Sequence, residues 1–64
     1  MKAGKLLAVL IKAGWTLEHQ RGSHRVLVKP GMTQLVFAFH DGVEVGPSMV
    51  AKIAKFAGLR REDL

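Results

Sequence analysis

Glycines fall at nearly every point where the hydrophobic pattern of this chain changes period, which restricts it to short elements joined by tight turns. Gly14 closes an amphipathic run, Gly22 and Gly31 sit in polar breaks between apolar stretches, Gly46 precedes Pro47, and Gly58 closes a second amphipathic run. Lys2 to Ala13 reads as a helix. At about 100° per residue, Ala3, Leu6, Leu7, Leu10 and Ile11 share one arc, with Lys2, Lys5 and Lys12 opposite. Val9 falls on the polar arc and is expected to be an isolated exposed apolar residue. Gly14 ends the run as a left-handed cap would. Trp15 to Gln20 alternates, with Trp15, Leu17 and His19 on one side, which predicts a strand with one buried face. Arg21-Gly22-Ser23 turns the chain into a second strand, His24 to Lys29. A Lys29-Pro30-Gly31-Met32 turn leads into a third, Thr33 to His40. After a loop from Asp41 to Gly46, Pro47 suits the first turn of a helix, with Gly46 or Ser48 as its cap. On that helix Met49, Val50, Ile53, Phe56 and Ala57 share a face, and Ser48, Lys52 and Lys55 lie on the other. Leu59 to Leu64 is a short tail with room for one more turn.

The order is α-β-β-β-α, an α+β fold. A three-stranded antiparallel sheet with two helices on one face is the two-layer solution that buries both apolar stripes. It leaves the other face of the sheet open to a ligand or partner. Residues 1–64 read as one domain, without repeat, linker or low-complexity segment. A domain this small buries only about 60% of its unfolded surface. There is no cysteine, so neither a disulfide nor a thiolate metal site supports it, which fits a reducing cytosol. The longest apolar run, Leu6 to Ile11, is far short of the roughly 18 residues of a membrane span. Lys2 and Lys5 ahead of that run resemble the start of a signal peptide. No small-residue cleavage site follows, and the segment reads as a core helix. Lys and Arg number 10 against 5 Asp and Glu, a net charge of +5, which favours a polyanionic partner or an acidic protein.

The sharpest chemical signal is Gly22-Ser23-His24. A histidine just after a tight turn is held in place yet reachable from solvent, and histidine can take and give a proton near neutrality. On a basic surface that attracts phosphate, the combination points to binding and cleavage of RNA. In such a cleavage the 2′-hydroxyl attacks the adjacent phosphorus. The protein must help remove one proton, supply another to the leaving 5′-oxygen, and stabilise the phosphoryl oxygens. His24 is the candidate for proton transfer, and Arg21, Ser23 and Arg25 are placed to hold phosphate. The plain alternative is a polar residue at a strand end.

With these elements placed, the sequence resembles the HicA-type mRNA interferases, small toxins of bacterial toxin–antitoxin pairs. The resemblance is carried by the first helix running into Lys12-Ala13-Gly14-Trp15, by Gly22-Ser23-His24 at the strand turn, by His40 after the third apolar stretch, and by Ala57-Gly58-Leu59 closing the second helix. It spans nearly the whole chain. It implies a fold like the double-stranded-RNA-binding domain, ribonuclease activity without a metal or other cofactor, a catalytic histidine at His24, and a HicB-like antitoxin partner. Two positions depart from the usual pattern: Ala38 stands where members often have proline, and Ser48-Met49 where many have Gly-Thr.

The remaining candidates keep two readings each. His19 and His24 flank a four-residue connection and in a regular hairpin would sit opposite each other as an acid–base pair; otherwise they are exposed without a role. His40 would orient its loop or cap the second helix. Lys52 and Lys55 resemble the lysines that meet phosphates from the last helix of double-stranded-RNA-binding domains, or else form a solvated face. Phe37, Phe39 and Phe56 read as core, with base stacking the alternative for a strand-three aromatic that faces the open side, and Trp15 reads as an anchor of the first helix on the sheet. The three histidines are not clustered and no carboxylate has ligand-like spacing to them, so no metal centre is expected. Rivals to an RNA-cleaving toxin are a non-catalytic RNA-binding module of the same fold and a protein-interaction domain.

Overall fold

A computed structural model describes all residues 1–64. The elements are α1 (Ala3–Lys12), β1 (Thr16–Arg21), β2 (His24–Val28), β3 (Leu35–Phe37), α2 (Pro47–Ala57) and a closing 3-10 turn (Arg61–Asp63). The expected α-β-β-β-α order holds. The strands form one antiparallel sheet in the order β1-β2-β3.

Both helices end in the same way. Trp15 N–H donates to Leu10 O and Gly14 N–H to Ile11 O; Leu59 N–H donates to Ala54 O and Gly58 N–H to Lys55 O. This paired pattern satisfies the last helical carbonyls and needs a residue with positive φ, met by Gly14 at 106° and Gly58 at 71°. Gly14-Trp15 and Gly58-Leu59 are therefore helix terminators. Each glycine is followed by an apolar residue that turns back to the core. Trp15 is fully buried, and its indole N–H reaches Ala57 O at 3.4 Å, joining the two terminators at one end of the molecule.

The core is a single cluster. Ala3, Leu6 and Leu10 of α1 and Val50, Ile53 and Ala57 of α2 meet Leu27, Leu35 and Phe37 of the sheet, with Trp15 and Val45 at its margins. Both helices thus cover one face. The other is open: Val36, between the buried Leu35 and Phe37, is 52% exposed.

Four expectations about extent and burial are corrected. The third strand pairs over only three residues, because β2 offers partners only to Leu35, Val36 and Phe37. Phe39 owes its apolar character to packing, its ring edge-on to Phe37 at 5.4 Å between centroids. β1 has no buried face and is exposed throughout, since it is an edge strand beyond the reach of the helices. On the helices the buried arcs are narrower than the apolar ones: Ile11, Met49 and Phe56 are exposed while Ala54 is buried. Val9 is half-buried and borders a small cleft with Lys12, Ala13, Glu62 and Asp63, so the tail partly covers it.

The chain path brings several segments to one end. β1 runs toward the Arg21–His24 turn, β2 away from it and β3 back, with Phe37 beside Arg25. The loop after β3 then folds over the start of α1: Ala3 N–H donates to Val43 O, Gly4 N–H to Asp41 O, and Lys2 bridges to Glu44. The hairpin turn, the α1 N-terminus and the loop leading into α2 therefore share one end. Both helix terminators lie at the other.

Candidate active site

The turn between β1 and β2 has two residues, Gly22 and Ser23, because Arg21 pairs directly with His24. Gly22 has φ +61° and Ser23 does not have positive φ, the pattern of a type II′ hairpin turn, in which the first central residue is glycine. Gln20 Nε2 donates to Gly22 O at 3.2 Å and braces the turn. His24 is thus the first residue of β2, held by backbone pairing and exposed.

Side-chain direction follows from the pleat. Leu27 is buried beneath the helices, so its alternates Val26 and His24 point to the open face. Directly paired residues share a face, which places Arg21 beside His24 and Val36 beside Val26 on that face. The expected opposition of His19 and His24 does not occur. The connection is two residues rather than four, and His19 pairs with Val26. A β-bulge lies between Leu17 and His19, with Glu18 as the extra residue.

Arg25, the next residue of β2, points the other way. Its guanidinium is only 13% exposed and donates from Nη1 to Asp41 Oδ1 at 2.7 Å. His24 and Arg25 therefore stand on opposite faces of one strand. Lys29 lies beyond the far end of β2, where Nζ donates to Ala13 O. Lys52 and Lys55 are exposed on α2, in the helix layer and not on the open sheet face. His40 is exposed in the loop after β3, where its backbone carbonyl accepts from Val43 N–H, and the N-cap of α2 is Gly46, not His40. No three His, Cys, Asp or Glu side chains converge in metal-binding geometry.

One carboxyl departs from its ordinary behaviour. Glu44 is held below the usual value by the Met1 amine, which donates to it and adds a Coulombic attraction. That ion pair helps hold the loop after β3 against the chain's first residues. The cleft beside Val9 measures 210 Å³, below the roughly 300 Å³ at which small-molecule sites begin.

The model of a family described as HicA toxin of bacterial toxin–antitoxin systems matches residues 3–59. The chain belongs to the HicA toxin family. The HicA match begins with α1 and ends at Leu59, the second residue of the closing Gly58-Leu59 terminator. It covers both helices, the sheet and the Gly22-Ser23-His24 turn. Membership makes the chain a toxin of the toxin–antitoxin class, one that works against an antitoxin. No curated protein gave a significant match. No helix is long and apolar enough to cross a membrane.

Two features of this HicA site had no signal in single-residue patterns. The bulge at Glu18 is a property of pairing. The Arg25–Asp41 contact joins residues whose partnership depends on how the loop after β3 folds back.

Proposed function

We propose that this HicA-family chain is a metal-independent endoribonuclease, an mRNA interferase, which His24 serves by proton transfer. The observation that carries the reading is the position of His24. It is exposed on the open sheet face, at the closed end of a two-residue turn, with Arg21 paired directly beside it.

The residues divide the work as follows. Arg21 and the Ser23 hydroxyl hold the scissile phosphate at the turn. His24 exchanges a proton with the ribose 2′-hydroxyl or the leaving 5′-oxygen, and the net positive charge draws the RNA in. Arg25, committed to Asp41, keeps β2 in place from the opposite face. Lys52 and Lys55, in the second half of α2, meet more distant phosphates of an RNA that wraps from the sheet face onto the helix layer. The donor set supports chemistry without a metal: Glu18, the bulge residue, is the one carboxylate on β1 or β2, and there is no thiol.

The open face also suits an antitoxin. Val26 and Val36 form an apolar pair beside basic Arg21 and His24. An acidic HicB-like antitoxin seated there would occlude His24 directly. The toxin would act in the cytoplasm, where mRNA is found. The test is cleavage of an RNA substrate by the wild type and by His24→Ala. Loss of cleavage in the folded variant is expected; full activity would overturn the assignment.

A further inference from the structure

We propose that His19 is the second proton-transfer residue of this site, acting with His24 on a phosphodiester held by Arg21. The inference rests on the cleavage reading above and adds to it the group that exchanges the other proton.

Leu17 pairs with the buried Leu27 and so belongs to the helix-facing side of the sheet. Without an extra residue, strict alternation would return His19 to that side, opposite Arg25. Glu18 is that extra residue, and the register beyond it shifts so that His19 pairs with Val26. A single inserted residue thus turns His19 onto the face of His24, a way in which bulges re-aim side chains beside functional sites. His19 and His24 become diagonal neighbours, about 7–8 Å apart with their Cβ atoms somewhat closer, by the general geometry of antiparallel pairs. Arg21 lies directly across from His24 and two residues along from His19. The three side chains form a triangle on an exposed face.

That triangle fits the reaction. A phosphate accepting hydrogen bonds of about 2.8 Å on either side fits between two imidazoles so spaced. One imidazole takes the 2′-hydroxyl proton as the 2′-oxygen bonds to phosphorus. The bond from phosphorus to the 5′-oxygen breaks, and the other imidazole, in its protonated form, gives that oxygen a proton. The products are a 2′,3′-cyclic phosphate and a 5′-hydroxyl, with no co-reactant. Arg21 balances the phosphoryl charge. The charged and titratable groups around His19 are few: Arg21 and the bulge residue Glu18 on its own strand, and His24 across the hairpin. Arg25 on β2 faces away and pairs with Asp41. β1 is an edge strand, and no element packs over this face.

The experiment is single-turnover RNA cleavage from pH 5 to 9 by the wild type, His19→Gln and His19→Arg. His19 is exposed on an edge strand, so both variants keep the fold, which circular dichroism checks. The wild type is expected to give a bell-shaped profile. Both variants should lose on the order of 10²-fold or more and one limb of the bell, His19→Arg included, because it keeps a cation but cannot shuttle a proton. Retention of the bell and of the rate within about threefold in His19→Gln would overturn the inference. A second readout does not depend on turnover: a nucleoside 3′-monophosphate titrated into the wild type and followed by NMR of the imidazole protons. Shifts at both His19 and His24 support the pair, and a shift at His24 alone overturns it. A wild type that binds through both histidines but does not cleave would defeat the cleavage reading while leaving the shared phosphate site standing.

Discussion

Arg25 Nη1 and Asp41 Oδ1 meet at 2.7 Å on the face of β2 turned away from His24, joining that strand to the loop that covers the start of α1. Asp41 is also held from behind, its carbonyl accepting Gly4 N–H at 2.9 Å. One loop residue therefore links β2 and α1. Arg25→Ala should cost about 1–2 kcal/mol, a charge-assisted bond discounted for the 65% exposure of the Asp41 side chain. Chemical denaturation measures that cost. The salt dependence of RNA binding should stay unchanged, because this guanidinium is committed to Asp41 on the face away from His24. A shallower salt slope in Arg25→Ala would show that it contacts RNA after all.

The turn gives a second prediction. Gly22 has φ +61° with open space around a notional side chain, so any cost of Gly22→Ala comes from the backbone and not from a clash. Positive φ at the first central position of a type II′ turn costs a non-glycine residue about 1–3 kcal/mol. Thermal unfolding should show a loss of that size. Cleavage should fall further than stability does, since the turn fixes where His24 begins β2. Unchanged melting and unchanged cleavage would mean that the turn can adopt another form at no cost.

Lys52 and Lys55 stand on α2, in the layer opposite the open face. If RNA wraps onto the helix layer to reach them, each phosphate contact adds roughly 0.7–0.9 to the slope of log affinity against log salt. Lys52→Ala with Lys55→Ala should reduce the slope by about 1.5 and leave the single-turnover rate at saturation nearly unchanged. Fluorescence anisotropy across a salt series checks this. An unaltered slope would make the two lysines a solvated face.

Val36 is 52% exposed yet flanked by two buried core residues, so its surroundings are rigid and its outward side is free. Val36→Asp should leave the fold intact and weaken antitoxin binding by tenfold or more, through lost apolar contact and repulsion of an acidic partner. Cleavage should persist. Calorimetry of the toxin–antitoxin complex measures the change, and undiminished affinity would place the antitoxin elsewhere.

The helices and the hairpin were legible in the sequence because local chemistry decides them. Periodic apolar residues set α1 and α2, and glycine at 14, 22 and 58 supplies conformations other residues resist. What was not legible depends on partners. The run from Thr33 to His40 looks like one long strand, but only three of its residues find partners on β2, and Phe39 is apolar because it packs on Phe37. Met49 and Phe56 share the apolar arc of α2, yet both are exposed because the buried stripe of Val50, Ile53, Ala54 and Ala57 runs to one side of them. At the site, the position of His24 followed from the Gly-Ser turn. The facing of His19 did not, because one bulged residue reverses it and nothing in Leu17-Glu18-His19 announces a bulge. Arg25 looked like a phosphate ligand by adjacency, whereas the pleat turns it to the other face.

The central claim is that His24 carries out the chemistry of an RNA-cleaving toxin without a metal ion. The direct test is cleavage of a defined RNA in EDTA by the wild type and by His24→Ala, with folding of both confirmed by circular dichroism. The wild type should cleave in EDTA to a 2′,3′-cyclic phosphate and a 5′-hydroxyl. His24→Ala should be slower by on the order of 10²–10⁴-fold while still binding the RNA. Cleavage that vanishes in EDTA and returns with a divalent ion, or a folded His24→Ala as active as the wild type, would contradict the account.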